Sequence, residues 1–179
     1  MKTFDPIAKA RSRLWAMNSA SLKHVPMWAL AIGTVCFAGF SPVASGTVGS
    51  AIGALIYYFI PLFQNNWVLL FASVIILVLG TVATDVIELK SGEHDPGIVI
   101  IDEVLGQWVA LFSLWYIGNP VFVVLAFVLF RFFDVMKFYP ASVFEKRIGG
   151  SSVMLDDVVA GIYANISAHV LTMVYKAYF

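Results

Sequence analysis

The sequence predicts an all-α protein: a polytopic membrane helical bundle of about five membrane helices plus a short interfacial or re-entrant helix, with a polar site on its cytoplasmic side. Three observations carry that prediction. Of the 179 residues, 60% are hydrophobic and only 12% are charged, against about 45–50% and about 25% in an average soluble domain. The charges leave long uncharged stretches at 24–84, 104–130 and 158–175, and turn-forming residues cut these to near the length of a bilayer-crossing helix. Threaded through a bilayer, the charges then sort to one side.

Residues 1–26 read as a basic N-terminal segment. Within 7–16, Ile7, Leu14 and Trp15 are interleaved with Lys9, Arg11 and Arg13, the pattern either of a short amphipathic helix lying on a membrane surface or of a disordered or soluble helical tail. No cleavable signal peptide is evident. Residues 27–179 read as a single membrane-embedded domain. Segment 27–40 is short for a span and suits an interfacial or re-entrant helix. Pro42 and Gly46 interrupt the chain before a helix near 47–62. Pro61 and Gln64-Asn65-Asn66 interrupt it again before a clear span at 67–85, whose uncharged part runs roughly 27 Å at helical rise. Gly118-Asn119-Pro120 then turns a helix near 103–117 into one near 121–137, and a last helix follows near 157–175.

With the turns at 61–66 and 118–120 on one side of the bilayer, every Asp and Glu and every Lys and Arg except Lys176 falls on the other. The positive-inside rule makes that charged side cytoplasmic. The formal net charge is zero, so no basic surface of the nucleic-acid-binding kind is expected. No obligate protein partner is evident. The one cysteine, Cys36, excludes an internal disulfide and a Cys-rich metal site and reads as a small apolar residue.

Four polar segments share the charged side. In the first, residues 39–50, glycines, serines and Thr47 lead into a helix. This is either a phosphate cradle, since free backbone N–H groups at a helix start attract anions, or a re-entrant turn with Ser45 or Thr47 as N-cap. It lacks the Gly-Lys-Ser/Thr ending of a Walker A loop. In the second, residues 94–108, Asp102 and Glu103 head an apolar helix, with Glu103, Gly106 and Gln107 on one face. One acid would suffice to cap a helix dipole; two adjacent acids above a polar stripe favour metal or proton chemistry. In the third, residues 130–140, Arg131, Asp134 and Lys137 recur at three-residue intervals. They form either a phosphate-holding pair with its orienting acid or a salt-bridge ladder snorkelling at the interface. In the fourth, residues 149–161, a glycine turn precedes Asp156 and Asp157 at a helix start, where Asp156 also suits a plain N-cap.

Carboxylates beside cations suit a Mg²⁺-dependent phosphoryl site, because Mg²⁺ takes a few carboxylates, waters and substrate phosphate. Zinc is disfavoured, since His24 and His94 are scattered and His169 lies alone in an apolar helix. A proton- or cation-coupled transporter is the alternative reading of intramembrane acids.

Taken in order, SPVASGTVGS, DPGIVIIDEVLGQW, FRFFDVMKFYP and GGSSVMLDDVVAG resemble phosphatidylglycerophosphatase A, a bacterial membrane phosphatase family, over roughly residues 27–175. Ser45 departs from the family's usual proline without removing a chemical group, and a slightly longer spacer before His94 leaves Asp85 without an assigned role. The resemblance implies a Mg²⁺-dependent hydrolase in the inner membrane that converts phosphatidylglycerophosphate to phosphatidylglycerol and phosphate at the cytoplasmic face. On that reading Asp102, Glu103, Asp156 and Asp157 bind Mg²⁺. Arg131 and Lys137 hold the phosphate, Asp134 orients Arg131 or completes the metal shell, and Ser41, Thr47 and Ser50 approach the phospholipid headgroup. The nucleophile is a metal-activated water or, alternatively, an aspartate that becomes phosphorylated.

Overall fold

The computed structural model describes residues 22–114, 120–141 and 149–178, and for Lys23 and Lys176 the backbone alone. The amphipathic segment expected at 7–16 and the Gly118-Asn119 part of the expected turn lie outside these residues. All regular structure among the described residues is helical, without strands. The α-helices are α1 (Met27–Gly33), α2 (Ser45–Phe59), α3 (Asn66–Ser91), α4 (Ile101–Leu111), α5 (Pro120–Met136) and α6 (Gly150–Tyr178).

Each boundary has a local cause. Pro26 precedes α1 in an extended conformation. The helix ends where Val35, Cys36 and Phe37 take consecutive positive φ angles, a reversal supported by Thr34, whose hydroxyl donates to Leu30 O and accepts from Phe37 N. Segment 27–40 is thus a seven-residue helix followed by a backbone reversal. Ala44 precedes α2 in the left-handed conformation, and no side chain caps the helix. The N-cap roles considered for Ser45 and Thr47 are therefore not taken up; Ser45 instead donates to Gly97 O at 2.8 Å. Asn65 caps α3 by accepting from Trp67 N and Val68 N, and Gly92 ends it at φ 74°. Asp102 and Glu103 stand in the first turn of α4, as expected. The last helix begins earlier than expected, at Gly150. The Asp85 carboxylate accepts Gly150 N at 2.6 Å and so satisfies a donor that a helix start leaves free. Asp156 and Asp157 consequently lie in the second turn or beyond, and Asp156 is not an N-cap.

Pair contacts fix the directions. Glu103, Gly106 and Ala110 of α4 meet Asp157, Gly161 and Asn165 of α6 in sequence order, so these helices run parallel. Gly46, Gly49 and Gly53 of α2 meet α4 in the same sense. Helix α3 runs against α6, with Gly80 at Met154 and Asp85 at Gly150. Helix α5 also runs against α6, with Lys137 at Asp156 and Phe122 at Tyr175. Helices α2, α4 and α6 thus start at one end, where α3 and α5 finish, and the carboxylates of the described residues gather there.

Two helices, Asn66–Ser91 and Gly150–Tyr175, are long and apolar enough to cross a membrane. At about 1.5 Å per residue they exceed the roughly 30 Å hydrocarbon layer, so their polar ends can stand clear of it. Helix α3 turns Phe71, Val74, Ile75, Val78 and Val82 outward and packs Leu69, Gly80, Ala83 and Ile87 inward. The expected five membrane helices are corrected here. Helices do occupy the other three places, but with 15, 11 and 17 residues they fall short of about 20 residues per crossing.

Helix α4 is the shortest of the five because its C-terminal carbonyls are taken up inside the bundle. Asn165 Nδ2 donates to Ala110 O at 3.0 Å and to Phe112 O at 2.8 Å. His169 lies 3.4 Å from the same Phe112 oxygen, which gives it a packing role. Asn66 and Ser113 exchange two further hydrogen bonds. Between α4 and α6, a Cβ on Gly161 would strike Gly106 O, so the backbones touch there. Replacing Asn165 by Leu keeps similar bulk but strands Ala110 O and leaves Phe112 O only the longer His169 contact. The expected loss is about 1–3 kcal/mol of stability, read as a lower thermal midpoint of the detergent-solubilised protein.

Candidate metal centre and anion site

Asp102 and Glu103 reach the site from the first turn of α4, and Asp157 from α6 beside it. One carboxylate oxygen from each lies within 4.8 Å of the others. Asp102 Oδ1, Glu103 Oε2 and Asp157 Oδ2 are buried and have no hydrogen-bond partner. An orphaned carboxylate oxygen is costly in a low-dielectric interior, and three converging ones cost more. Oxygen donors converging in this way fit a hard divalent cation such as Mg²⁺.

The acids on α4, a helix too short to cross a membrane, show the strain electrostatically. Burial, then repulsion from Glu103, pushes Asp102 well above the usual carboxylate range. Burial, then repulsion from Asp157, pushes Glu103 up to about 8.

Two cations flank the triad, both from the end of α5. Arg131 pairs with Asp134 at 2.6 Å and donates to Ser50 Oγ at 3.3 Å. Asp134 also reaches the Asp157 carboxyl, so it links the guanidinium to the triad. Lys137 pairs with Asp156 at 2.9 Å. Asp156 thereby faces the lysine, beside the three clustered acids rather than among them.

The start of α2 closes the site. A Cβ on Gly46 would strike Glu103 Oε1 and come within 3.1–3.2 Å of the Arg131 guanidinium. Only glycine lets the Glu103 carboxylate and the guanidinium come so close to the α2 backbone. The first N–H groups of α2 have no partner within the helix, and no side chain caps them. A fixed partial positive charge therefore sits beside Arg131.

The residues expected to meet substrate separate into distinct places. Ser50 is fully buried, donates to Gly46 O at 2.9 Å and positions Arg131. Ser41 donates to Val43 O within its own turn, and Thr47 is exposed on α2. Among the described residues, neither hydroxyl hydrogen-bonds to the carboxylate triad or the guanidinium.

Several supporting residues escaped the sequence reading. Asp85 fixes the start of α6. Glu88 accepts from Asp95 N at 2.8 Å and pairs with His94 at 2.9 Å, which ties the loop before α4 to α3. Gly46, Gly49 and Gly53 form the α2 face against α4; their three- and four-residue spacing was the available signal. The transporter alternative would require carboxylates at several depths, whereas those of the described residues collect at one end.

The model of the phosphatidylglycerophosphatase A family matches residues 31–172. The chain is 36% identical over 144 residues to a Bacteroides thetaiotaomicron protein named "Putative phosphatidylinositol-3-phosphatase", covering 75% of this chain and 87% of that protein. It is 32% identical over 164 residues to phosphatidylglycerophosphatase A of Escherichia coli, covering 90% and 87%. It is 30% identical over 142 residues to phosphatidylglycerophosphatase A of Haemophilus influenzae, covering 79% and 85%. No solved structure matches the chain.

The raised acids predict a coupling between pH and cation binding. Glu103 goes from 4.5 to about 8 on folding, so between those values the folded state holds a proton that the unfolded state has released. Raising pH through that window destabilises the cation-free protein. A bound cation replaces the protons. The thermal midpoint in EDTA should therefore fall between about pH 5 and about pH 8, and the gain on adding Mg²⁺ should grow over the same interval. A gain independent of pH would remove Asp102 and Glu103 from the cation site.

Proposed function

Because the chain belongs to the phosphatidylglycerophosphatase A family, we propose that this phosphatase removes the terminal phosphate of phosphatidylglycerophosphate in a Mg²⁺-dependent reaction at the cytoplasmic face of the bacterial inner membrane. The observation that carries the reading is the orphaned carboxylate triad, set directly against a guanidinium and an uncapped helix start.

Asp102, Glu103 and Asp157 would hold the ion. When bound, Mg²⁺ supplies Lewis acidity toward a phosphate oxygen and lowers the pKa of a water. The remaining work belongs to the chain. The first backbone N–H groups of α2 and the Arg131 fork, brought together at Gly46, would take phosphate oxygens. Asp134 and Ser50 hold that fork in place before substrate arrives, so little ordering is needed during the reaction. Lys137, six residues beyond Arg131 and just past the end of α5, is a second positive charge, with Asp156 fixing its ammonium. Charge building on the phosphoryl oxygens thus meets dipoles and cations already oriented toward it.

The substrate's acyl chains remain in the bilayer, which places the site at headgroup depth. Helices α3 and α6 cross the membrane and the shorter helices pack among them in a multi-pass arrangement. Their acid-bearing ends face the cytoplasm, as the positive-inside rule requires. The phospholipid in the bilayer is the only partner this reading needs.

Purified protein in detergent should release phosphate from phosphatidylglycerophosphate with Mg²⁺ and lose that activity in EDTA; no metal-dependent release from this lipid overturns the proposal. Asp102→Asn and Asp157→Asn should each cost on the order of 100-fold or more in kcat, the scale of removing one electrostatic partner of a transition state, while the protein still folds and inserts. For orientation, single cysteines at Asn66 and Ser151 in a Cys36→Ala background should label from outside intact cells at 66 and not at 151. The opposite pattern reverses the topology.

A further inference from the structure

Helix α4 carries a second polar group that neither the metal centre nor the anion site uses. Gln107 is completely buried, and both its amide Oε1 and Nε2 lack hydrogen-bond partners. It lies on the face of α4 that carries Glu103. The place where a Cβ on Gly49 would sit is 3.2 Å from Glu103 Cβ, and the corresponding place on Gly53 is 3.2 Å from Gln107 Cβ. The two side chains therefore leave α4 toward the same glycine-lined face of α2. Further along that face, Tyr57 Oη is likewise buried without a partner.

An amide offers two donors and two acceptors. Leucine or methionine would fill the same space without leaving any of them stranded. A buried unsatisfied amide therefore costs stability in the ligand-free protein, and such groups in native proteins call for a ligand or a water to complete them.

Depth indicates which ligand. Helix α4 runs parallel to α6, from the acid-bearing end into the bundle. Gln107 lies four residues beyond Glu103, about 6 Å along the axis. A lipid with its terminal phosphate at the triad directs the rest of its headgroup toward the bilayer, in the same direction.

We infer that Gln107 is a specificity-determining residue that binds the polar linker between the terminal phosphate and the diacylglycerol, its Nε2–H donating to a phosphodiester oxygen and its Oε1 accepting from a linker hydroxyl. The inference rests on the lipid phosphatase reading and extends it. A lipid whose phosphate monoester joins diacylglycerol directly has no linker and gains nothing from Gln107.

The test compares full-length wild type with Gln107→Met, an apolar side chain of similar length, on phosphatidylglycerophosphate and on phosphatidic acid in mixed micelles with Mg²⁺. The expected result is a KM for phosphatidylglycerophosphate raised about tenfold, the effect of one to two lost hydrogen bonds. Its kcat and both constants for phosphatidic acid should stay within about twofold. The thermal midpoint without lipid should hold or rise, because a stranded amide has been removed. Equal losses on both lipids, no change on either, or a lower midpoint each overturn the assignment; the last result would mark Gln107 as a structural residue completed by water. If wild type releases phosphate from neither lipid, the underlying phosphatase reading fails, and this inference with it.

Discussion

The structure depends on holding like charges together in a place that disfavours charge. Asp102, Glu103 and Asp157 converge where burial penalises every ionised carboxylate and each one repels the next. A chain selected for stability alone would place apolar side chains there. The surrounding features make the arrangement tenable. Arg131 and Lys137 bring positive charge from α5. Asp134 ties the guanidinium to the triad, and the start of α2 adds the partial charge of its free N–H groups. The acids also sit near the polar ends of α3 and α6, the two helices long and apolar enough to cross a membrane.

Close backbone approach makes this convergence possible. Helices α2 and α4 meet through Gly46, Gly49 and Gly53, and α4 and α6 through Gly106 and Gly161. Apolar side chains gain little by leaving lipid for a helix interface, so small residues and polar contacts carry association within a membrane. The same glycines decide the chemistry. They bring three acids within reach of one another and set the guanidinium against the start of α2. Below the site, Asn165 and Asn66 satisfy the end of α4 from neighbouring helices, which allows so short a helix to stop inside the bundle.

The sequence disclosed much of this, because a membrane protein advertises where its charges cannot go. The uncharged runs placed α3, α5 and α6, and the acidic pair at 102–103 marked the start of α4. The positions of the four polar segments anticipated which elements meet at the site. Other features depend on partners distant in the chain and leave no local trace. Nothing near Gly150 says that Asp85 satisfies its N–H, so the start of α6 was placed too late. Nothing near Leu111 says that Asn165 ends α4, so that helix read as a full span. Gln107 read as part of one stripe with Glu103 and Gly106, whereas packing turns Gly106 toward Phe130 and α6 and turns Gln107 toward α2. The face a residue occupies on a crowded helix is set by its neighbours, and periodicity alone does not determine it.

The early start of α6 has a geometric consequence. Seven residues separate Gly150 from Asp157, about 10 Å along the helix axis, so about two turns of α6 stand between the Asp85 contact and the acid that meets α4. A helix turns as one body, and the contact that holds Gly150 therefore also helps to set the rotation at which Asp157 faces Asp102 and Glu103. Asp85 thus acts on the carboxylate cluster from a helix that contributes no acid to it.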